Sequence, residues 1–204
     1  QDAKVAVTEL PPLRRCWFID ADGNCLIQLG PEHFIYNWRN ETGQLPYPRY
    51  DAVRQEFGRL WSDYLEFLNE EGIGRPKVNQ WEITYVNHVE KVHGWETLSE
   101  LHNVLLVAPQ VPSGGFLPTP EAIQSVLAYR FPDKKGRLRI SLQNAVRRRD
   151  MQECILLKLI ARGIVDSPET GTVLRYHDMG REWIVRSFAE LTSEQAHTFW
   201  GRDR

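Results

Sequence analysis

Between Asn79 and Val89 the chain alternates without a break. Trp81, Ile83, Tyr85, Asn87 and Val89 fall on one side, and Gln80, Glu82, Thr84, Val86 and His88 on the other. A period of two places each set on its own face of an extended strand. Aromatic and β-branched residues suit a pleated, half-buried surface, so the segment predicts an inner strand with its Trp81 face turned to the core. The second face sets a carboxylate, a hydroxyl and an imidazole in a row at Glu82, Thr84 and His88, the first place to look for a ligand. Such a strand needs neighbours to pair with and an element to cover Trp81, and the rest of the chain has to supply them.

The chain has material enough. With 204 residues, 42% of them hydrophobic and 25% charged, it fits one globular domain or two small ones, and a chain this long buries roughly 70% of its unfolded surface without a metal or disulfide staple. A formal net charge of −2 argues against bulk attraction to nucleic acid or to an anionic membrane. No run approaches the roughly 18 apolar residues of a membrane span, and Gln1 to Leu13 lack the cationic-then-apolar pattern of a signal peptide. No membrane partner is expected. The absence of an initial Met suggests a chain that begins inside a longer protein or after processing. Cys16, Cys25 and Cys154 are odd in number and scattered. A two-residue hairpin loop at Asp22-Gly23 sets Asp20 opposite Cys25 and Cys16 opposite Leu29, too far along the ladder for the two thiols to bridge. Reduced thiols and a cytoplasmic location are expected.

Residues 1–14 read as an arm. Cys16 to Asp20, Asn24 to Leu29 and His33 to Trp38 form a three-stranded meander, and Arg39 to Arg49 a polar loop. Val53, Phe57, Leu60, Trp61, Tyr64 and Leu68 recur at the spacing of an amphipathic helix, which Gly72 and Gly74 stop. After the strand of the opening paragraph, Glu96 to His102 predicts a short helix and Val104 to Val107 a short strand. The Pro/Gly-rich stretch 109–120 marks a boundary between a first half, 15–108, and a second, 121–204. In the second half Ile123 to Phe131, Arg137 to Val146 and Cys154 to Ile160 are strands. A long helix follows from Val173 to Leu191, with Gly180 implying a helix laid close on the sheet, and Thr192 caps a short final helix. The expected fold is α+β: twisted antiparallel sheet or sheets from two βββα-like halves, the long helices packed on one face, in one compact domain overall.

Leu26-Ile27-Gln28-Leu29 with Phe34-Ile35-Tyr36-Asn37-Trp38, Tyr47-Pro48-Arg49-Tyr50, Asn79-Gln80 with Glu82 to His88, and Gly180-Arg181-Glu182-Trp183-Ile184-Val185-Arg186 resemble a sporadically distributed bacterial family of uncharacterised function. The resemblance spans roughly residues 15 to 202. It implies a bacterial cytoplasmic protein, and its sporadic distribution implies a mobile-element or defence-linked accessory. It supplies no catalytic residues. Members of the family usually carry a further strand-bearing segment before the hairpin, which this chain starts too late to hold, so a sheet edge is expected to be open or filled by a partner.

Two side-chain groups are candidates for chemistry. Glu82, Thr84 and His88, with His93 and His102 nearby, offer the side chains of a metal or acid–base site, yet their spacing matches no established one. An ordinary wet sheet face accounts for them more simply. Arg130, Lys134, Lys135, Arg137, Arg139, Arg147, Arg148 and Arg149 crowd into one segment against Asp133 and Asp150. A β-ribbon so studded can track phosphates, while a basic edge that discourages aggregation is the plainer account. Trp95 and Trp200 fall outside the periodic patterns and are the aromatic residues to test for a surface role. Asn37, Trp38 and Arg39 beside Tyr47 to Tyr50 suggest an anchor between meander and helix, and Glu182 with Arg186 a helical ion pair. No nucleophile elbow, phosphate-cradling Gly loop, paired-Cys motif or HExxH occurs.

The residues therefore favour a non-catalytic binding or protein-interaction module. A protein partner or self-association is expected, and no cofactor, metal or catalytic residue is assigned. The first alternative is a nucleic-acid-associated protein using Lys134, Lys135, Arg137, Arg139, Arg147, Arg148 and Arg149. The second is a metal-dependent hydrolase using Glu82 and His88.

Overall fold

A computed structural model describes residues 15–40, 46–111, 115–148 and 150–201. It separates into two compact units, Gln1–Ile73 and Gly74–Arg204. The fold is α+β, with a three-stranded antiparallel sheet in the first unit and a four-stranded one in the second.

In the first unit β1 (Cys16–Ile19), β2 (Cys25–Gly30) and β3 (His33–Trp38) form the meander. Cys16 pairs with Leu29, the expected register, and Cys25 with Trp38, so the thiols are separated along the ladder. The turn itself differs from expectation: Gly23 N–H donates to the Asp20 carbonyl at 3.1 Å, with Gly23 at φ 74°. The tight bend thus starts at Asp20, and Gly23 supplies the left-handed residue that ends it. Helix α1 (Arg49–Glu70) turns its apolar stripe to β3. Phe34 sits among Phe57, Trp61 and Tyr64, with ring centroids 5.9, 5.2 and 5.2 Å away. Arg39 anchors the meander through Nε–H to the Gly23 carbonyl at 2.9 Å, and Trp38 packs edge-on against Tyr47 at 5.2 Å.

In the second unit β4 (Gln80–Glu90), β5 (Gln124–Arg130), β6 (Gly136–Arg147) and β7 (Gln152–Ile164) are ordered β4-β7-β6-β5, all antiparallel. β4 therefore belongs with the strands that follow the Pro/Gly-rich stretch. The unit boundary falls at Ile73–Gly74, not in 109–120, because the partner of β4 is β7, far along the chain. Leu138, Ile140, Leu142, Ile155, Leu157, Leu159 and Ala161 are fully buried on one face, which α2 (Thr170–Leu191) covers. A short α3 (Glu194–Phe199) follows, capped by Ser193, whose hydroxyl accepts from Ala196 N–H at 3.2 Å. The cap is Ser193 and not Thr192, whose hydroxyl donates back to the Phe188 carbonyl at 2.6 Å.

Three glycines let the aromatic core lie flat. Gly136 and Gly163 are paired across β6 and β7. A Cβ on Gly136 would sit 2.7 Å from the Phe131 ring, and one on Gly163 would sit 2.5 Å from the Lys135 carbonyl and 2.9 Å from Trp81 Nε1. Over this bare patch Trp81 stacks on Tyr176 at 5.8 Å, and Phe131 packs on Trp183 at 4.6 Å. On the helix side Gly180 comes as near to Trp81 and Ile83 as a helix can.

The segment between β4 and β5 departs from expectation. In place of a helix over Glu96 to His102 there are two 3-10 turns, Lys91–His93 and Leu101–Asn103. In place of a strand there is one bridge, Leu105 to Thr192. Leu98, Leu101, Val104, Leu105 and Ala108 are buried all the same, while Val92 and Leu106 are exposed; Trp95, at 4% exposure, is core and not a surface residue. Trp200 is half-buried against His93 and Phe188.

Candidate functional site

The face of the four-stranded sheet opposite α2 is the uncovered one, and the strand register sets what stands on it. Its first cross-strand row is Glu82, Arg162, Arg137 and Arg130, on β4, β7, β6 and β5. The next is Thr84, Ile160, Arg139 and Ala128, and the third is Val86, Lys158, Ser141 and Val126. Beyond lie His88, Leu156, Gln143 and Gln124. Residues on the edge strands are exposed, while Lys158, Ile160 and Leu156 on the central strand are half-covered by their neighbours.

Positive charge gathers at one end. Arg130, Arg137 and Arg162 are directly opposite one another, Arg139 stands one row on, and Lys158 is diagonal to it. Lys134 and Lys135 sit at the β5–β6 turn that closes the same end, both exposed, Lys134 at φ 60°. Against them stand Asp133, which accepts from Lys135 N–H at 2.9 Å, and Glu82, 4.0 Å from the Arg162 guanidinium. Arg130, Arg137, Arg139 and Lys158 form no ion pair among the described residues. The small apolar side chains between them, Ala128, Val126 and Ile160, are aliphatic.

The sequence-expected basic group is thus divided. Lys134, Lys135, Arg137 and Arg139 share one site. Arg147, at the far end of β6, is roughly 33 Å from Arg137 at about 3.3 Å of rise per residue, and it is engaged. Its guanidinium pairs with the Glu90 carboxylate across β7 and with Asp150 at 2.6 Å. These two carboxylates, Asp150 first, raise its pKa further above an already high value. Arg148 is exposed in the turn beside it, and Arg149 lies outside the described residues. The sequence pattern, ending this strand at Ile160, gives no sign of Arg162 or of the part Lys158 plays on the face. The β6–β7 turn held the missing signal, because counting outward from it pairs Arg137 with Arg162.

Glu82, Thr84 and His88 do share the uncovered face. Thr84 Oγ1 donates to Glu82 Oε1 at 3.0 Å, whereas His88 stands two rows away opposite Leu156. His93 and His102 are used elsewhere: His93 Nδ1 accepts from Glu90 N–H at 2.9 Å, and His102 Nδ1 lies 2.7 Å from the Ser99 carbonyl. Among the described residues no three His, Cys, Asp or Glu side chains gather as a metal site would require.

The His93 contact has a pH consequence. Burial first, then the nearby Arg147 charge, lowers its pKa from the usual 6.5, against an opposing pull from Glu90. The folded state holds the ring neutral, since a protonated Nδ1 cannot accept from Glu90 N–H. The unfolded chain therefore binds the proton more readily. The resulting stability is present above pH 6.5 and is lost as pH falls through the lower folded value. Thermal unfolding should give a lower Tm at pH 5 than at pH 7.5. His93→Asn, which keeps an acceptor and removes the titration, should reduce that difference; an unchanged profile would discount His93.

Comparison of the chain with protein-family models, with curated proteins and with solved structures gives no match in any of the three. No helix of the described residues is long and apolar enough to cross a membrane.

Proposed function

We propose that the chain is a non-catalytic binding module whose working surface is the uncovered face of the β4–β7–β6–β5 sheet, and that it holds a polyanion there. One observation carries this reading: Arg130 opposite Arg137 and Arg137 opposite Arg162, three arginines abreast. Like charges directly opposite on neighbouring strands cost stability, up to about 1 kcal/mol per pair. An edge that only had to resist aggregation needs a single charge on an outer strand. Here Arg130 alone is on an outer strand, while Arg137 and Arg162 occupy the two central strands, where they guard no edge. A row that works against the fold, with one carboxylate, Glu82 at 4.0 Å from Arg162, set against three guanidinium groups, is what an external anion would neutralise. Guanidinium groups suit that task, because each presents a planar fork to two oxygens of a phosphate, sulfate or carboxylate.

The reading separates stability from binding in opposite directions. Arg137→Thr removes both repulsions at once and puts a good strand former in their place. It should raise stability by about 0.5–1 kcal/mol while weakening retention of the full chain on immobilised heparin. Arg137→Glu with Arg162→Glu should abolish retention at moderate salt. Retention unchanged in both variants would end the polyanion reading, and loss of stability in Arg137→Thr would assign the row a structural role.

A further inference from the structure

Resting on that polyanion reading, we propose that the anion is the phosphodiester backbone of a nucleic-acid duplex, held without regard to base sequence. Three features of the same face favour a duplex over the other polyanions.

The face has no Phe, Tyr or Trp, and its one ring is the His88 imidazole, two rows beyond Arg139. Its aliphatic residues, Val86, Val126, Leu156 and Ile160, alternate with the cations, whereas the aromatic residues of these strands, Trp81, Tyr85 and Tyr129, belong by register to the helix-covered face. Single-stranded nucleic acid is held largely by stacking successive bases on aromatic rings, and a lone imidazole outside the charged end makes no such platform. An acidic protein partner is disfavoured by the same list. Protein interfaces concentrate their energy in buried aromatic and methionine anchors and exclude lysine from the centre. Interfaces with duplexes are more polar and strongly basic.

Adenine readers are missing from the charged end. Asn and Gln are the side chains that read adenine, and the face's Gln124 and Gln143 are paired at the neutral end, two rows beyond Arg139. Arginine also reads guanine, but the four strands span about 14 Å, wider than a major groove of about 12 Å, so the guanidinium groups at the charged end meet phosphates.

The dimensions fit. At about 4.8 Å between strands, Arg130 to Arg162 spans about 10 Å. The rows of Arg137 and Arg139 lie about 7 Å apart along the strands. Lys134 and Lys135 extend the patch past the turn. Glu82 closes it at β4 and leaves an anionic border on that side.

The test is fluorescence anisotropy on the full chain, with labelled 20-base-pair DNA and RNA duplexes of two unrelated sequences, the matching single strands, and oligoglutamate, between 50 and 200 mM salt. Duplexes should bind at 50 mM salt, the two sequences within about twofold of each other. Neutralising five to seven phosphates gives log K against log salt a slope between about −4.5 and −6.3, so affinity should fall by roughly 500- to 6,000-fold across that range. Arg137→Ala should weaken both sequences equally and reduce the slope by about one. Binding of DNA only, RNA only or both identifies the source of the backbone and supports the proposal. A single strand bound as tightly as its duplex overturns it, as does oligoglutamate competing on equal terms or a strong dependence on sequence. Heparin retention that survives alongside no duplex binding overturns the duplex and leaves the polyanion reading standing. Circular dichroism of each variant confirms the fold.

Discussion

Gly180→Val is expected to destabilise the Gly74–Arg204 unit by about 3 kcal/mol, read as a lower midpoint in urea unfolding followed by tryptophan fluorescence. Two effects oppose each other at this position. In an exposed helix interior, replacing Gly with Ala gains about 1 kcal/mol from restricted backbone freedom. Here the new Cβ would lie 2.5 Å from Trp81 Cζ3 and 2.7 Å from Ile83 Cγ2. Neither atom is the loose end of a flexible chain. Trp81 is held between Tyr176 and Phe131, at 5.8 and 6.3 Å, and Ile83 Cγ2 is a branch at Cβ on an ordered strand. Either the helix lifts or the ring turns out of its stack, and both separate packed surfaces. Even Gly180→Ala should be net destabilising, by about 1 kcal/mol, and valine adds a further methyl at the same contact. A double-mutant cycle with Trp81→Leu isolates the cause, since a smaller side chain at 81 should remove most of the penalty. A stabilised Gly180→Ala would show that the helix has room.

The close approach of this helix to the sheet was legible in the sequence, and so was the need to cover Trp81, although nothing local paired the two. A glycine in the middle of a periodic helix demands a close neighbour, and Trp81, on a strand of unbroken alternation, was a large residue seeking cover. The two faces of β4 were readable for the same reason: period two leaves one assignment of inside and outside. Where a residue's place depends on distant pairing, the local pattern ran out. Nothing near Gln80–Glu90 says that its neighbour is β7 rather than β3, so the division at Ile73–Gly74 could not be read. The Pro/Gly-rich stretch took its place because composition changes there. Trp95 shows the same limit, buried by an irregular segment that has no period to betray it.

The charged row was half legible for a related reason. Arg137 and Arg139 stand out on an alternating strand, and the hairpin turn next to them contributes Lys134 and Lys135. Arg162 was passed over because the apolar run of β7 appeared to stop at Ile160. The strand in fact continues through Gly163 to Ile164. Arg147 was misgrouped by proximity in sequence, which says nothing about which end of a twelve-residue strand a side chain occupies.

Arg147 should behave as the reverse of Arg137. Arg147→Ala is expected to cost about 2–3 kcal/mol of stability and to leave affinity for polyanions unchanged. The Arg147 side chain is 14% exposed, and its guanidinium lies between the carboxylates of Glu90 and Asp150, whose side chains are 32% and 35% exposed. Breaking a fully buried pair costs about 3–5 kcal/mol, because the stranded charge has lost its water. These carboxylates keep part of theirs, which lowers the figure. To reach Glu90 the side chain crosses β7 beside Cys154, which by register stands on the uncovered face and yet is only 2% exposed. Burial holds that thiol's pKa up. Removing the arginine should therefore open Cys154 to an aromatic disulfide reagent, with exposed Cys16 as the internal fast standard. Arg147→Lys should recover only part of the stability, since one ammonium cannot fork to two carboxylates. Arg148→Ala, one residue on and exposed, should change neither stability nor labelling. If Arg147→Ala instead weakened heparin retention as Arg137→Glu with Arg162→Glu should, and left Cys154 closed, the two ends of β6 would belong to one continuous surface and the clamp would lose its structural role.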